Sequence, residues 1–280
     1  MRTPQKIGLI AGGGILPHEV IAGAHQQGFE VFIAVIEGFA TPDDFPEPAQ
    51  VFGLGEIGRL INTFKTENCT HIVLAGNIER PDFKTIKPDL RGLKLLPKVI
   101  KAATKGDDAL LRLLLSVFEK EGFEILAPQD LCSSSLIGAG VFGRVSPHED
   151  NVADIQKARE IAAMIGAHDI GQGCVVCNGL VLAVEAQEGT DKMLERVAAL
   201  PENVRGSSGH RQGVLAKRLK PGQEDRVDLP TIGRMTIEHA VKAGLAGIVV
   251  EAHKAFIMDK EAVRTLADQH GIFILGYEDV

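Results

Sequence analysis

The chain has 280 residues, of which 45% are hydrophobic and 24% charged, enough for a substantial core and too apolar for a disordered or fibrous chain. With no Trp, one Tyr and a formal charge of −7, it offers neither a base-stacking surface nor the basic balance of a dedicated DNA binder. No nucleic-acid partner is expected, although a local basic patch on an acidic protein still suits an anionic ligand.

At roughly 100–200 residues per domain, the length suggests about two domains. The opening MRTPQKIGLIAGGGILP lacks the apolar region and cleavage site of a signal peptide, and no segment has the apolar length of a membrane span. Cys69, Cys132, Cys174 and Cys177 do not make a secreted disulfide framework in a chain this large. The expectation is a cytoplasmic protein.

Lys6 to Ala11 reads as a buried strand, followed by the turn Gly12-Gly13-Gly14 and a helix from about Pro17 to Gln27. Val31 to Ile36 is a second apolar run, and a short strand falls near Val51. An amphipathic stretch from Ile57 to Phe64 precedes the strand HIVLAG, His71 to Gly76. Helical patterns at Leu93 to Ala103 and Asp107 to Glu119 lead to a further strand, FEILAP. Strands alternating with helices imply βαβ units and a parallel sheet, so residues 1–132 are read as a Rossmann-like N-terminal domain.

Residues 133–150, SSSLIGAGVFGRVSPHED, are rich in Ser and Gly without helical period and read as a linker. Residues 151–280 then read as a mixed α+β domain. Asn151 to Ile165 is helical, and Val175 to Val184 is a hairpin turned by Asn178-Gly179. A helix from Gly189 to Leu200, a strand from Val214 to Lys217 and a loop from Pro221 to Gly233 follow. A helix at about Met235 to Ala243 precedes short strands at Ile248 to Glu251, Ala255 to Met258 and Ile272 to Leu275, set around one more helix.

Four stretches are candidates for chemistry. The triple glycine opens a helix, where backbone amides approach phosphate oxygens, but it has neither the dinucleotide fingerprint spacing nor the Lys-Ser/Thr of a P-loop. A plain tight turn fits it equally. Cys174 and Cys177 have CxxC spacing, yet they lie in an apolar strand without a second pair and read as buried thiols. Ser207, Ser208 and His210 lack a nucleophile elbow and read as a polar loop.

The fourth stretch is the richest. VEAQEGTD holds Glu185, Gln187, Glu188, Thr190 and Asp191 where a strand gives way to a helix. Lys217, Arg218 and Lys220 come next, and then Glu224, Asp225, Arg226 and Asp228 in a loop bounded by prolines. Carboxylates beside cations suit phosphate chemistry: oxygen ligands hold Mg²⁺, cations offset phosphate charge and a carboxylate orients water. A solvated charged loop has the same composition.

Nearly the whole chain resembles the LpxI family of UDP-2,3-diacylglucosamine pyrophosphatases. The resemblance is carried by LIAGGG (9–14), AGNIERPDF (75–83), RGLKLLP (91–97), KGDDALLR (105–112), DIGQG (169–173), GLVLAVEAQEGTD (179–191), GVLAK (213–217), RVDLPTIG (226–233) and AGLAGIVVEA (243–252). It implies Mg²⁺-dependent hydrolysis of UDP-2,3-diacylglucosamine to UMP and 2,3-diacylglucosamine 1-phosphate (lipid X) in lipid A biosynthesis. A lipid-linked sugar nucleotide would lie between a Rossmann-like domain and a C-terminal catalytic domain.

The family's essential Asp, in its R-x-D-L-P loop, falls at Asp228. The resemblance also suggests that Lys217 and Arg226 neutralise the diphosphate and that Glu188, Asp191 and Asp228 hold the metal. Gly12, Gly13, Gly14, Asn77, Gln187 and Thr190 would line the substrate. A homodimer in peripheral contact with the inner membrane is implied as well. Three competing readings are a carrier that retains an acylated sugar phosphate without turnover, a nicotinamide-dependent oxidoreductase, and a pyrophosphatase for another sugar nucleotide.

Overall fold

The computed structural model describes residues 5–220, 222, 224, 226 and 229–278. Its contacts divide the chain into two units: residues 1–134 with 224–227, and residues 135–223 with 228–280.

In the first unit the elements are β1 (Lys6–Ala11), α1 (Leu16–Gln26), β2 (Glu30–Ile36), β3 (Ala49–Phe52), α2 (Ile57–Thr66), β4 (Cys69–Ala75), α3 (Leu90–Ala103), α4 (Asp107–Lys120), β5 (Glu124–Ile125) and α5 (Pro128–Leu131). The strands form one parallel sheet of order β3-β2-β1-β4-β5. α1 returns the chain from β1 to β2, α3 and α4 return it from β4 to β5, and a loop with one 3₁₀ turn joins β2 to β3. The strand order reverses between β1 and β4, the position at which the carboxyl ends of an open sheet leave a crevice. Leu60, Ile61 and Phe64 form the buried stripe of α2. They pack with Ile36, Phe52, Ile72, Leu115 and Phe118 into the core on one side of the sheet.

The second unit contains β6 (Gly140–Val141), α6 (Val152–Ala167), β7 (Gly173–Cys177), β8 (Leu180–Val184), α7 (Gly189–Ala198), β9 (Val214–Lys217), β10 (Thr231–Ile232), α8 (Arg234–Lys242), β11 (Gly247–Glu251), β12 (Phe256–Ile257), α9 (Lys260–His270) and β13 (Phe273–Tyr277). Six strands make a mixed sheet of order β6-β13-β11-β9-β7-β8, parallel at β13-β11-β9 and antiparallel elsewhere. β10 and β12 pair separately and in parallel. The Ser- and Gly-rich stretch contributes to this unit, because β6 pairs with β13 and Leu136 bridges Phe256.

Alternation along the strands covers both faces of the mixed sheet. Val175, Leu215, Ile248 and Ile274 pack against Met193, Leu194 and Val197 of α7, Ile237 of α8 and Val263 of α9. Cys174, Val176, Ala216 and Val249 pack against Ile155, Ala158 and Ala162 of α6. Side chains two apart share a face, so a strand buried on both faces reads as a continuous apolar run. The β7–β8 turn has Asn178 and Gly179 both at positive φ (50° and 75°), the arrangement that suits a two-residue hairpin. Asp154 of α6 accepts hydrogen bonds from both turn amides, at 2.8 and 2.7 Å, and so anchors the hairpin to the helix.

Candidate phosphate site at the carboxyl edge of the mixed sheet

β9 and β11 run parallel and end at Lys217 and Glu251, while β7 starts and β8 ends at the same edge of the sheet. Lys217 lies in register with Gly173 of β7, and the Glu185 amide donates to the Gly173 carbonyl at 2.8 Å. Glu185, Gly173 and Lys217 therefore form a row across three strands.

Glycine at 173 leaves room for Glu185: a Cβ would fall 2.4 Å from Glu185 Oε2, so the carboxylate would have to move. The carboxylate lies over the strand where a side chain would stand. Glu185 is 6% exposed and Lys217 5%. Burial pushes the Glu185 carboxyl up from its ordinary value, against the pull of the Lys217 charge and the Thr190 hydroxyl. Thr190, in the first turn of α7, donates to Glu185 Oε2 at 3.1 Å. Lys217 Nζ donates to the Thr231 carbonyl of β10 at 2.7 Å.

A rim of charge surrounds this row. The Arg218 amide donates to the Gln172 carbonyl, and its Nε lies 3.8 Å from Glu251 Oε2. Lys254 Nζ lies 2.5 Å from Glu251 Oε1, and Lys220 Nζ lies 2.7 Å from Asp169 Oδ1. Lys217, Arg218, Lys220 and Lys254 thus bring four cations to one sheet edge, where ligands of open α/β sheets commonly bind.

Of the residues expected from sequence, Thr190 bonds Glu185, and Lys217 stands in the same row across the sheet. The other α7 candidates point elsewhere. Glu188 takes Arg196 at 2.5 Å, and its own backbone amide followed by that guanidinium holds its carboxyl below the ordinary value. Asp191 Oδ1 lies 3.2 Å from His239 Nδ1 on α8, and Gln187 is exposed. Asp228 and its neighbour Asp225 lie outside the described residues. Among the described residues, no three His, Cys, Asp or Glu side chains are grouped to hold a metal ion.

Arg226 belongs with the first unit. Its Nε and Nη2 donate to Glu224 at 2.7 and 2.9 Å, and its Nη1 donates to Glu119 of α4 at 3.0 Å. The Glu224 amide donates in turn to Asp108 of α4 at 2.7 Å. These bonds hold residues 224 and 226 against one helix.

The glycine turn and Asn77 meet at the carboxyl ends of β1 and β4. The Gly13 amide donates to the Asn77 carbonyl at 2.9 Å, and the Asn77 amide returns a bond to Gly13 at 2.8 Å. A Cβ on Gly12 would fall 2.6 Å from the Asn77 carbonyl oxygen, which makes this backbone contact the reason for glycine there. Gly14 has φ of 91°. All four cysteines are free and buried, as expected of Cys174 and Cys177 in their apolar strand.

Glu185, Gly173, Glu251 and Lys254 were not singled out from the sequence as a set. Gly173 and Glu251 sit at strand ends, and that position was the available signal, but strand order was needed to join them.

Comparison with known proteins matches residues 6–135 to the LpxI N-terminal domain and residues 138–275 to the LpxI C-terminal domain. A Caulobacter vibrioides protein named UDP-2,3-diacylglucosamine pyrophosphatase LpxI is 52% identical over 274 residues, 98% of each chain. Among solved structures, N5-carboxyaminoimidazole synthase of Aspergillus clavatus is 12% identical, with a TM-score of 0.24, over 72% of this chain and 46% of that one. CobK precorrin-6A reductase is 11% identical, with a TM-score of 0.30, over 99% and 89%. Both likenesses are too distant to inform the fold or the site. The two domain matches and the near full-length relative place the chain in the LpxI family.

Proposed function

We propose that the protein hydrolyses the diphosphate of UDP-2,3-diacylglucosamine, releasing UMP and 2,3-diacylglucosamine 1-phosphate (lipid X), as a step of lipid A biosynthesis. The observation that carries this reading is 52% identity over 98% of both chains to a protein named for that activity. The charged edge of the mixed sheet supports it independently, since three further cations, Arg218, Lys220 and Lys254, beside the buried Lys217 and Glu185 suit a diphosphate.

In this reading water attacks the phosphorus on the sugar side, the bond to the bridging oxygen breaks, and UMP departs with that oxygen. Negative charge grows on the phosphoryl oxygens, where Lys217 offsets it from a site already shielded from water. The Thr231 carbonyl fixes the ammonium group, and the Glu185 carboxyl in the same row supplies the nearby acid, both acting as positioning groups. Asp228 orients or deprotonates the attacking water. Arg226 joins the diphosphate by exchanging a bond to Glu224 or Glu119 for a phosphate oxygen.

Gly12 to Gly14, Asn77, Gln187 and Thr190 complete the substrate contacts in this proposal. The strand order of the first sheet supports a Rossmann-like reading of that unit. Dependence on Mg²⁺ rests on the family resemblance alone. Among the described residues no three carboxylates are grouped around one point, and no step above runs through the ion. A cytoplasmic homodimer belongs to the same proposal.

A panel of UDP-sugars with and without acyl chains tests the substrate class, with UMP as the readout. Release of UMP from the diacylated compound alone is expected. Bound lipid with no UMP from any compound would make the protein a carrier, and equal turnover of unacylated UDP-sugars would redirect the substrate.

A further inference from the structure

α3 carries LRGLKLLPKVIKAA without a single acidic residue, on a protein whose net charge is −7. It presents three different faces. Gly92, Leu95 and Ala103 turn towards the core of the first unit. Leu90, Leu93, Pro97 and Ile100 follow the three-four spacing of one helical stripe, and that stripe faces outward. Leu90 is 84% exposed, Leu93 57% and Ile100 45%. Lys94, Lys98 and Lys101 form the adjoining stripe, all exposed, and none has an ion-pair partner among the described residues. Arg91 alone is engaged, by Glu121.

A solvated helix face does not need three large exposed aliphatic side chains, and a core helix would bury them. An apolar stripe beside a purely basic stripe matches the boundary between acyl chains and anionic headgroups. We propose that α3 is a docking helix for an anionic lipid bilayer, with Leu90, Leu93 and Ile100 entering the headgroup boundary and Lys94, Lys98 and Lys101 pairing with lipid phosphates. The acidic balance of the whole chain does not oppose this, because the local field at the helix is set within about a Debye length, roughly 8 Å at physiological salt. Arg80 donates to the carbonyl of Ala103 at 2.6 Å, which ties the end of this helix to the segment following Asn77. The inference rests on the helix and does not require the proposed activity.

Co-sedimentation of the full-length protein with phosphatidylglycerol-containing and pure phosphatidylcholine vesicles tests it without substrate. Binding to the anionic vesicles alone, weakened by salt, is expected. Each Lys→Gln change at 94, 98 or 101 should weaken it about fivefold, the equivalent of about 1 kcal/mol per cation. Leu93→Glu combined with Ile100→Glu should abolish it, with circular dichroism confirming that the fold survives. Should the paired Glu variant misfold, Leu93→Ser and Ile100→Ser carry the same test at lower severity. Absence of binding to anionic vesicles, or binding unchanged in the lysine variants, overturns the proposal. Loss of a wild-type dimer in the Glu variant, with no vesicle binding by wild type, would assign the face to a second copy instead.

Discussion

The Glu185 carboxylate occupies the space above Gly173: a Cβ at residue 173 would stand 2.4 Å from Glu185 Oε2. Register across β8, β7 and β9 then sets Lys217 on the far side of the same glycine. Gly173→Ala is expected to displace the carboxylate and disturb Lys217. A stability loss of about 1–3 kcal/mol, typical of overpacking, should accompany a fall in activity. Thermal melts and turnover of the same sample check this; an unchanged melting temperature would show that the edge accommodates the methyl group.

Glu185 also gives the protein a pH signature. Burial raises its carboxyl above the ordinary 4.5, so between the unfolded and folded values the folded chain holds more protons than the unfolded one. Stability from this group is therefore full below the unfolded value and is lost as pH rises through the raised folded value. Glutamine does not titrate. The melting temperature of Glu185→Gln relative to wild type should climb as pH rises above the ordinary carboxylate value, whatever its starting offset. A difference that stays flat over that rise would place the carboxyl outside the buried row.

Lys217→Met retains much of the buried stem and removes the charge. If the ammonium group serves the phosphoryl oxygens, kcat should fall by about 10²–10³, the scale of removing one preorganised stabilising group. The substrate KM should move far less. A variant with the activity of a surface substitution would remove Lys217 from the reaction.

The four thiols should be chemically silent in the folded protein. Burial pushes Cys132 and Cys174 up to about 12, and Cys69 and Cys177 to about 11. The reactive thiolate is therefore scarce as well as inaccessible. Titration with a thiol reagent should find no fast-reacting group in native protein and four in denaturant. A fast pair at Cys174 and Cys177 would revive a redox reading.

Much of the architecture was legible in the chain because local pattern and fold agree. KIGLIA and HIVLAG are apolar runs that became β1 and β4, and Asn178-Gly179 turns the hairpin that its φ preferences favour. β12 was read from its apolar run, whereas β6 and β10 were less legible, since each is two residues long inside a stretch with the composition of a linker or loop. VEAQEGTD gathers its acids at one turn of chain but could not separate Glu185 from Glu188 and Asp191. The difference lies in partners: Gly173 and Lys217 on neighbouring strands for the first, Arg196 further along α7 for Glu188, and His239 of α8 for Asp191. Arg226 shows the same limit, because Glu119 stands 107 positions earlier on α4.

Incubating the purified protein with UDP-2,3-diacylglucosamine and Mg²⁺, beside an EDTA-treated sample and Asp228→Ala, tests the proposed reaction most directly. Equal amounts of UMP and lipid X from wild type, with neither product in the two controls, is the expected result. Unchanged turnover in Asp228→Ala would contradict the proposed site, and no UMP from wild type would contradict the hydrolysis itself.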